Sequence, residues 1–382
     1  MSSALRVAHV FPGGVDIVGG SESQSMVFFG LADRRRVVPD LVVLGDNPAF
    51  SESADSLDDL TVHRLGPAGA HTLRPDILVR FVQLLRRERY DLVHLFGLRQ
   101  ELATRLLSRL AGVPTVVSGI RGMETHRSAT QCRLNRWTGR WVDRWISNSE
   151  TTRVLFSRRD GLPLNRIDVV PNGVPVPSHM PDRASAREYL QEICDLREGW
   201  PIVGCVANLL AHKRQEHLLA AVANLRRNGC DVQVILAGRF GAHSDIIRDA
   251  VRRLELDDRV HLLGYRRDVR RFLPALDVFV LPSEKEGLPA AVLEAMAVAV
   301  PVVATDVADT PRVVQDGVTG WVVPVGDVDL MTERLGRLLD NPDLARRFGE
   351  AGWRRARDHY SDVAMTEGLT GLYHDLARSE GG

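Results

Sequence analysis

Short apolar runs rich in valine, isoleucine and leucine alternate with amphipathic stretches along the whole chain. Runs of this length are typical of strands buried on both faces, whereas a spacing near 3.6 residues indicates helix. The strands predicted in this way lie at 6–11, 39–45, 91–97, 114–120, 143–149 and 167–173, and then at 201–208, 231–238, 260–264, 277–283, 300–306 and 320–326. Such alternation predicts α/β architecture, with βα units around parallel sheets.

A stretch rich in proline and polar residues, 172–185, separates the two sets of strands. We therefore predict two doubly wound, Rossmann-like domains that face each other across a cleft. Ligands of such sheets bind outside the carboxyl ends of the strands. The predicted division is a first domain over 1–178, a linker over 179–199 and a second domain over 200–361.

Composition limits the classes of function. Of 382 residues, 44% are hydrophobic and 26% are charged, with a formal net charge of zero. This balance gives no case for a nucleic-acid partner. The four cysteines lack metal-ligand spacing and predict a cytoplasmic protein with reduced thiols. We see no signal peptide and no apolar run of the ~20 residues that a membrane span requires. Nearly all basic residues are arginine, and lysine occurs only at Lys213 and Lys285.

The most informative stretch is 283–306, which holds two glutamates eight positions apart, Glu286 and Glu294. A helix is predicted over about 289–298, because Pro289 suits a first turn. Glu294 is the only charge in this apolar helix, and a helix that is apolar all round is buried. One interpretation is that Glu294 forms a structural ion pair with an arginine.

A second interpretation makes both glutamates ligands. Gly287 leaves the backbone open to a ligand, and the free N–H groups at 287–290 form an anion site at the positive end of the helix. Carboxylates on either side of a phosphate site suit a molecule with hydroxyl groups on both sides of a diphosphate. A nucleotide sugar has this chemistry.

This stretch resembles the signature of the retaining GT-B glycosyltransferases of family GT4, an S-x-x-E-G-x-P loop within an E-x7-E motif. The similarity continues through 304–327 and is also seen at 170–174 and 19–22, so it spans nearly the whole chain. In this sequence the motif reads Ser283, Glu286, Gly287, Pro289 and Glu294.

The resemblance implies a role for each matching residue. Glu286 would bind hydroxyl groups of the donor sugar, and Glu294 those of the donor ribose. The N–H groups of Gly287 and Leu288, next to Pro289, would meet the distal phosphate. Lys213 matches the family lysine that holds the diphosphate and supports the leaving group. The resemblance also implies that residues from about 362 to 382 cross back to the first domain.

The sequence departs from the family at two positions. Many members carry an arginine where Asn208 stands here, which leaves either Lys213 and the helix dipole alone or a contribution from Arg239 or Arg214. The second departure is Ala299, where glycine is common, and we expect no chemical consequence from it.

The first half offers weaker candidates. Gly19 and Gly20 belong to a glycine-rich loop, which is either a surface loop or, by the resemblance, a close approach to the donor phosphates and the acceptor. Arg121 and His126 follow a predicted strand; Arg121 is a candidate for the acceptor side and His126 is a catalytic candidate. His94 lies at a strand end that should face the cleft and is a second acceptor-side candidate, and a buried structural histidine is an equal alternative.

Two further patterns have structural and functional interpretations. Residues 133–145 place arginines near one helical face and three tryptophans near another, as in helices that lie on anionic membranes. Because the tryptophans (Trp137, Trp141 and Trp145) precede a core strand, we favour inward packing over peripheral membrane contact. The "DVD" at 327–329 imitates a metal-binding motif, but Asp327 suits the cap of a following helix.

The resemblance implies transfer of a hexosyl unit from a nucleotide diphosphate sugar to a hydroxyl acceptor, with retention and without a metal or other cofactor. UDP-hexose is favoured over GDP-mannose because UDP donors are common in the family. A dinucleotide-dependent oxidoreductase would need a GxGxxG after strand 6–11 or 201–208, and neither has one. A catalytically impaired sugar-nucleotide-binding subunit stays open, because of Asn208.

Overall fold

The computed structural model describes residues 4–12, 20–45, 48–67, 73–120 and 128–379. The chain divides into two compact units, which we call unit 1 (Met1–Gly173 with Asp362–Gly382) and unit 2 (Val174–Ser361). Every strand pair in both sheets is parallel. The predicted α/β class with two Rossmann-like sheets is confirmed.

The described residues contain the following elements. The strands are β1 (Leu5–Phe11), β2 (Val37–Val43), β3 (Thr61–Arg64), β4 (Leu92–Leu95), β5 (Thr115–Ile120), β6 (Arg144–Ser147), β7 (Ile167–Val169), β8 (Ile202–Val206), β9 (Gln233–Ala237), β10 (Val260–Gly264), β11 (Val278–Leu281), β12 (Val302–Thr305) and β13 (Gly320–Val323). The helices are α1 (Gly20–Leu31), α2 (Pro48–Asp55), α3 (Pro75–Glu88), α4 (Leu98–Leu110), α5 (Ala129–Thr138), α6 (Glu150–Asp160), α7 (Arg183–Ile193), α8 (Gln215–Arg227), α9 (Ser244–Arg253), α10 (Val269–Phe272), α11 (Ala290–Ala297), α12 (Thr310–Val313), α13 (Val328–Leu339), α14 (Pro342–His359) and α15 (Asp362–Ser379). In the described ranges, no helix combines the length and the apolar character that crossing a membrane requires.

The sheet of unit 2 has the strand order β10-β9-β8-β11-β12-β13 within the described residues. The chain therefore builds outward from β8 to β10 and then crosses to the other side of β8 to form β11. Val203 and Gly204 of β8 pair with Val278 and Phe279 of β11. This change of direction is a topological switch point, so the loops that follow β8 and β11 leave the same edge of the sheet side by side.

Both faces of this sheet are covered, which explains the continuous apolar strands. Helices α8, α9 and α13 contribute to the core on one face, and α7, α11 and α14 contribute to the core on the other. Val303 of β12 points to the first core and Val302 to the second, and neither is exposed to solvent. Fully burying one such side chain contributes about 1.5–3 kcal/mol relative to exposure.

The sheet of unit 1 has the order β3-β2-β1-β4-β5-β6-β7 in the part of the chain that the structure describes. Strand β3 was not predicted, because it is short and only partly buried. The last helix, α15, packs in the core of unit 1, where Met365, Leu369 and Tyr373 join Phe28 of α1. The C-terminal helix therefore returns to the first domain, as the resemblance implied.

Residues 179–199, which we expected to form a linker, contain α7. Its residues Ala186 and Leu190 are buried in the core of unit 2. The stretch is therefore packed as part of that unit, and the prolines that suggested a linker lie just before the helix. In the structure the chain passes from unit 1 to unit 2 after Gly173 and returns to unit 1 after Ser361.

The prediction that the three tryptophans pack inward is wrong for Trp137. Trp145 lies in β6 and is buried, whereas Trp137 is 52% exposed. The physical reason is that the inner face of α5 is polar. Asn135 Oδ1 and Thr138 Oγ1 accept hydrogen bonds from the buried Arg105 guanidinium at 2.7 and 2.9 Å, and this arrangement turns Trp137 outward.

Candidate active site

The loops after β8 and β11 are joined at the switch point of unit 2. The backbone N–H of Glu284 donates to the carbonyl of His212 at 2.9 Å, which ties one loop to the other. Residues 211–213 form a single 3₁₀ turn before α8 begins. The geometry follows from the sheet, since paired neighbouring strands deliver their following loops to the same place.

Lys213 and Glu286 meet between these loops. The Lys213 Nζ lies 2.6 Å from Glu286 Oε1, a direct ion pair between residues 73 positions apart. The two side chains are only 19% and 10% exposed, so the pair is largely shielded from water. Charged hydrogen bonds of this kind are short and strong, and at low exposure each charge depends on the other. The structure therefore brings together the two residues predicted to hold the diphosphate and the donor sugar.

A second ion pair reinforces the same loops. Arg214 donates to Glu284 at 2.6 Å and to Glu216 at 3.3 Å, and Glu216 in turn lies 3.2 Å from His243 Nε2. Arg214 adopts a left-handed backbone conformation with φ 50°, which turns the chain from the 3₁₀ turn into α8. Its guanidinium charge is balanced by two carboxylates within unit 2.

The N-terminus of α11 opens directly after the Glu286 loop. Pro289 takes the N-cap position, one residue before the helix, and no side chain caps the first turn. Gly287 and Leu288 precede it in the chain. The uncapped N–H groups of a first turn and the positive end of the helix dipole favour an anion at this point. The predicted phosphate position, at the N-terminus of α11, therefore follows the loop whose Glu286 is paired with Lys213.

Glu294 lies one turn into α11, about 6 Å along the axis from the first helical residue. Its neighbours Val292, Leu293 and Ala295 are buried, whereas the Glu294 side chain is 28% exposed. Arg270 Nη2 lies 3.8 Å from Glu294 Oε1 and is itself 59% exposed, so the expected structural ion pair exists but is long and open to solvent. Burial raises the pKa of the Glu294 carboxyl above its usual value, and the Arg270 charge opposes the shift only in part.

Asn208 does not replace the missing arginine as a cation. Its carboxamide oxygen accepts from the backbone N–H of Arg239 at 2.9 Å and joins the loops after β8 and β9. Gly238 allows this approach, since a Cβ there would lie 2.0 Å from the carbonyl oxygen of Ala207. The Arg239 side chain is exposed and its guanidinium lies 4.7 Å from the centre of the Tyr265 ring. Of the two cations considered for the diphosphate, Arg214 is already neutralised and Arg239 is not paired with a carboxylate among the described residues.

The candidates of the first half have different outcomes. Gly19, Arg121 and His126 lie outside the described residues, and Gly20 is the first residue of α1. His94 is fully buried, with its Nδ1 2.7 Å from the Tyr373 hydroxyl, which also lies 3.1 Å from His9 Nε2. The structural interpretation of His94 is the one that the structure supports, because its ring is enclosed by the core of unit 1.

Asp327 caps α13, as its position predicted. Its carboxylate accepts from the backbone N–H of Leu330 at 2.9 Å. Among the residues that the structure describes, no group of three or more His, Cys, Asp or Glu side chains is arranged to hold a metal ion.

Sequence reasoning missed the Arg214–Glu284–Glu216–His243 network and the contact of Arg270 with Glu294. The network depends on the adjacency of β8 and β11, which local patterns do not specify. Arg270 stands in a segment with several arginines, and no local pattern distinguishes it from the others.

Two family sequence models match the chain. One, described as glycosyl transferases group 1, covers residues 187–355, and the other, described as a glycosyl transferase 4-like domain, covers residues 24–173. The first includes Lys213, Glu286 and Glu294, so the residues that meet at the switch point lie inside the matched region.

Curated relatives agree with this assignment. The alpha-D-kanosaminyltransferase of Streptomyces kanamyceticus is 30% identical over 285 residues, which is 71% of this chain and 73% of that protein. The UDP-Gal:alpha-D-GlcNAc-diphosphoundecaprenol alpha-1,3-galactosyltransferase of Escherichia coli is 24% identical over 356 residues, 90% of each chain. The GDP-mannose-dependent alpha-(1-6)-phosphatidylinositol monomannoside mannosyltransferase of Mycolicibacterium smegmatis is 32% identical over 268 residues, 66% of this chain and 68% of that protein.

Solved structures support the fold. Anabaena HepE in complex with UDP has a TM-score of 0.82 at 19% identity, with 97% of this chain and 100% of that chain covered. Sucrose-phosphate synthase from Thermosynechococcus elongatus has a TM-score of 0.73 at 20% identity, with 98% and 100% covered. The chain therefore belongs to the group 1, GT4-like glycosyltransferases, and its two Rossmann-like units are those of the GT-B fold.

Proposed function

We propose that this glycosyltransferase moves a hexosyl unit from a nucleotide diphosphate sugar to a hydroxyl acceptor in the cytoplasm, with retention at the anomeric carbon. The observation that carries the proposal is the Lys213–Glu286 pair at the switch point of unit 2, next to the uncapped N-terminus of α11. A cation, an acceptor of hydroxyl protons and an anion site converge there.

The diphosphate is held by charge and by backbone donors. The N–H groups of Gly287 and Leu288 and the first turn of α11 meet the distal phosphate, and Lys213 binds the diphosphate from the opposite loop. Arg239 supplies the second cation that the asparagine at position 208 does not. Fixed donors and cations aimed at a departing diphosphate stabilise it as its charge develops, so the step needs no metal.

The two glutamates bind opposite ends of the donor. Glu286 accepts from hydroxyl groups of the transferred sugar, and Glu294 accepts from the ribose. When the donor binds, Lys213 turns from Glu286 to the diphosphate, and the sugar hydroxyls replace the ammonium group as partners of Glu286. The Glu286 carboxylate therefore keeps hydrogen-bond donors throughout, because leaving a largely buried charge without them would be costly.

Retention follows from a front-face reaction in this proposal. The bond between the anomeric carbon and the diphosphate oxygen breaks, the acceptor oxygen bonds to the same face, and the leaving phosphate takes the acceptor proton. Glu286 contacts hydroxyl groups and serves neither as nucleophile nor as acid. Gly19, Gly20, Arg121 and His126 are proposed to act on the donor phosphates and the acceptor side.

We favour a UDP-hexose as donor, with GDP-mannose as the alternative. The Escherichia coli relative is named for a UDP-sugar and the Mycolicibacterium smegmatis relative for GDP-mannose, so the family contains both. The acceptor is proposed to belong to bacterial polysaccharide, glycolipid or secondary-metabolite assembly. A non-catalytic binding subunit is not favoured, because Arg239, which pairs with no carboxylate among the described residues, adjoins Asn208, where the arginine is missing.

A thermal-shift panel of nucleoside diphosphates and sugar nucleotides tests the proposal, since a ligand of the native state raises its melting temperature. We expect a UDP-sugar to give the largest shift and to be hydrolysed slowly without acceptor. Glu286→Ala should remove most of that hydrolysis with the fold intact. A shift with no hydrolysis by the wild type would identify a binding subunit, and no shift with any nucleotide would contradict the proposal.

A further inference from the structure

The outer face of α5 and the turn after it carry an apolar strip bordered by arginines. Trp137 is 52% exposed and Leu134 is 42% exposed, and the exposed Arg133 and Arg140 flank them. Trp141, which is partly buried, makes an edge-to-face contact with Trp137 at 5.0 Å between ring centres. We call these five residues the Trp137 surface.

The positive charges of the Trp137 surface are not paired with any carboxylate that the structure describes. The Arg140 guanidinium lies 4.8 Å from the Trp137 ring centre and 5.7 Å from that of Trp141, and its Nε donates to the Trp137 carbonyl. No carboxylate lies within ion-pair distance of Arg133 or Arg140 in the described ranges. What sets this helix face apart is that these two arginines border exposed apolar side chains, Trp137 and Leu134.

The end of α4 continues the same surface. Arg109 Nε donates to the Trp141 carbonyl at 3.2 Å, which fixes the last turn of α4 beside the Trp137 surface. The next residue, Leu110, is 60% exposed, and the exposed Arg86 donates to its carbonyl at 3.1 Å. Apolar and basic side chains therefore extend across neighbouring helices of unit 1.

We propose that the Trp137 surface docks on a lipid bilayer that contains anionic lipids. Tryptophan is enriched at the boundary between headgroups and acyl chains, where its ring is buried and its N–H stays hydrated. The Arg140 guanidinium lies over both indole rings, and the exposed Arg133 lies on the same helix, so apolar and positive groups share one face, as in interfacial helices. A formal net charge of zero gives no comparable attraction to a nucleic acid.

Vesicle flotation of the full chain tests the proposal. Vesicles of pure phosphatidylcholine are compared with vesicles of phosphatidylcholine mixed with phosphatidylglycerol, at low and at high salt. We expect binding only to the mixed vesicles, weakened by salt because the attraction is screened. Equal binding to both vesicles, or no binding to either, would overturn the proposal, as would binding to RNA or to an acidic protein without binding to vesicles.

Two variants and matched controls assign the effect to this surface. R133Q/R140Q should lower the partition coefficient about thirtyfold, from the attraction of two arginines near an anionic surface, and W137S should lower it about tenfold. W137F, which keeps the apolar ring and the fold, should stay within about threefold of wild type. R158Q/R253Q removes two exposed arginines elsewhere and V79S removes a residue that is 55% exposed on α3, and neither should matter. Wild-type binding by R133Q/R140Q, or equal losses in the controls, would refute the assignment.

Discussion

The two units have sheets of the same kind, but polar residues are placed differently at their switch points. In unit 2 the loops after β8 and β11 place Lys213 and Glu286 in a direct ion pair at the edge of the sheet. In unit 1 the central strands β1 and β4 pair His9 with His94, and both are fully buried beneath Tyr373 of α15. The polar side chains at the switch point lie in the loops beyond the strands in unit 2, and within the buried strands in unit 1.

This difference shows why topology alone does not identify a functional residue. A polar side chain within a strand is enclosed by the helices that cover the sheet, so its hydrogen bonds go to the protein. A side chain in the loop after the strand escapes that cover and can meet a ligand. His94 lies within a strand and is enclosed by the core, whereas Lys213 lies in the loop after a strand, where a ligand can reach it.

The largest expected effect comes from Lys213→Ala. Loss of one preorganised donor to a developing anion typically lowers turnover by about 10²–10³-fold, and we expect a loss of this size in donor hydrolysis and in transfer. The chain supplies a matched control, because Lys285 is the only other lysine and is exposed in the same loop as Glu286. Lys285→Ala should keep wild-type turnover. Comparable rates for wild type and Lys213→Ala would contradict the proposal that the switch point of unit 2 takes part in catalysis.

Tyr373→Phe should act on stability alone. It removes a hydroxyl that lies between two buried histidine rings, and leaving buried polar groups without that partner costs about 1–3 kcal/mol. Urea unfolding, monitored by a signal from unit 1, measures the loss in free energy of unfolding. Nucleotide affinity should not change. Tyr265→Phe is the control, since that tyrosine is 55% exposed. A Tyr373→Phe protein of wild-type stability and weakened nucleotide affinity would reverse the roles assigned to the two switch points.

Arg239→Ala should weaken nucleoside diphosphate binding about tenfold, the size expected for one charge-assisted contact to a phosphate. The loss should shrink at high salt, because Arg239 is exposed and its attraction is screened. Calorimetry at two salt concentrations measures both quantities. The exposed Arg253 on α9 serves as the control. Unchanged affinity in Arg239→Ala would mean that Lys213 and the α11 N-terminus suffice.

The smallest expected effect concerns Ala299, where the family commonly has glycine. Ala299 adopts φ 60°, a left-handed conformation that costs an L side chain about 1 kcal/mol and costs glycine little. Ala299→Gly should therefore stabilise unit 2 by about 0.5–1 kcal/mol. Ala345→Gly in α14, an ordinary helical position, should do the opposite by about 1 kcal/mol. If Ala299→Gly and Ala345→Gly lowered the melting temperature equally, the backbone at residue 299 would not be strained.

Much of the fold could be predicted from the sequence because parallel strands buried on both faces are continuous apolar runs. The α/β class, the doubly wound sheets and most strands followed from this pattern. Strand β3 did not, since a short edge strand with partly exposed residues has no such run. Helix α7 was concealed by the prolines just before it, although its buried Leu190 places it in the core of unit 2.

The candidate site was predictable where a motif is local and not where it depends on neighbouring loops. Glu286, Gly287 and Glu294 are close in sequence, so their spacing suggested their use. The pairing of Arg214 with Glu284 and the use of Asn208 to hold the backbone of Arg239 depend on which strands are adjacent. Trp137 faces outward because the buried Arg105 draws Asn135 and Thr138 inward, a contact across 30 or more residues that helical periodicity does not specify.

Hydrogen–deuterium exchange with and without a nucleoside diphosphate tests the central claim most directly, because it locates the donor without altering any residue. We predict slower exchange in peptides that cover 207–215 and 283–295 of unit 2, the loops after β8 and β11 and the first turns of α11. Peptides of β1, β4 and α15 in unit 1 should exchange at the same rate in both states. Protection that appears elsewhere in the chain and spares both of those unit 2 segments would contradict the account.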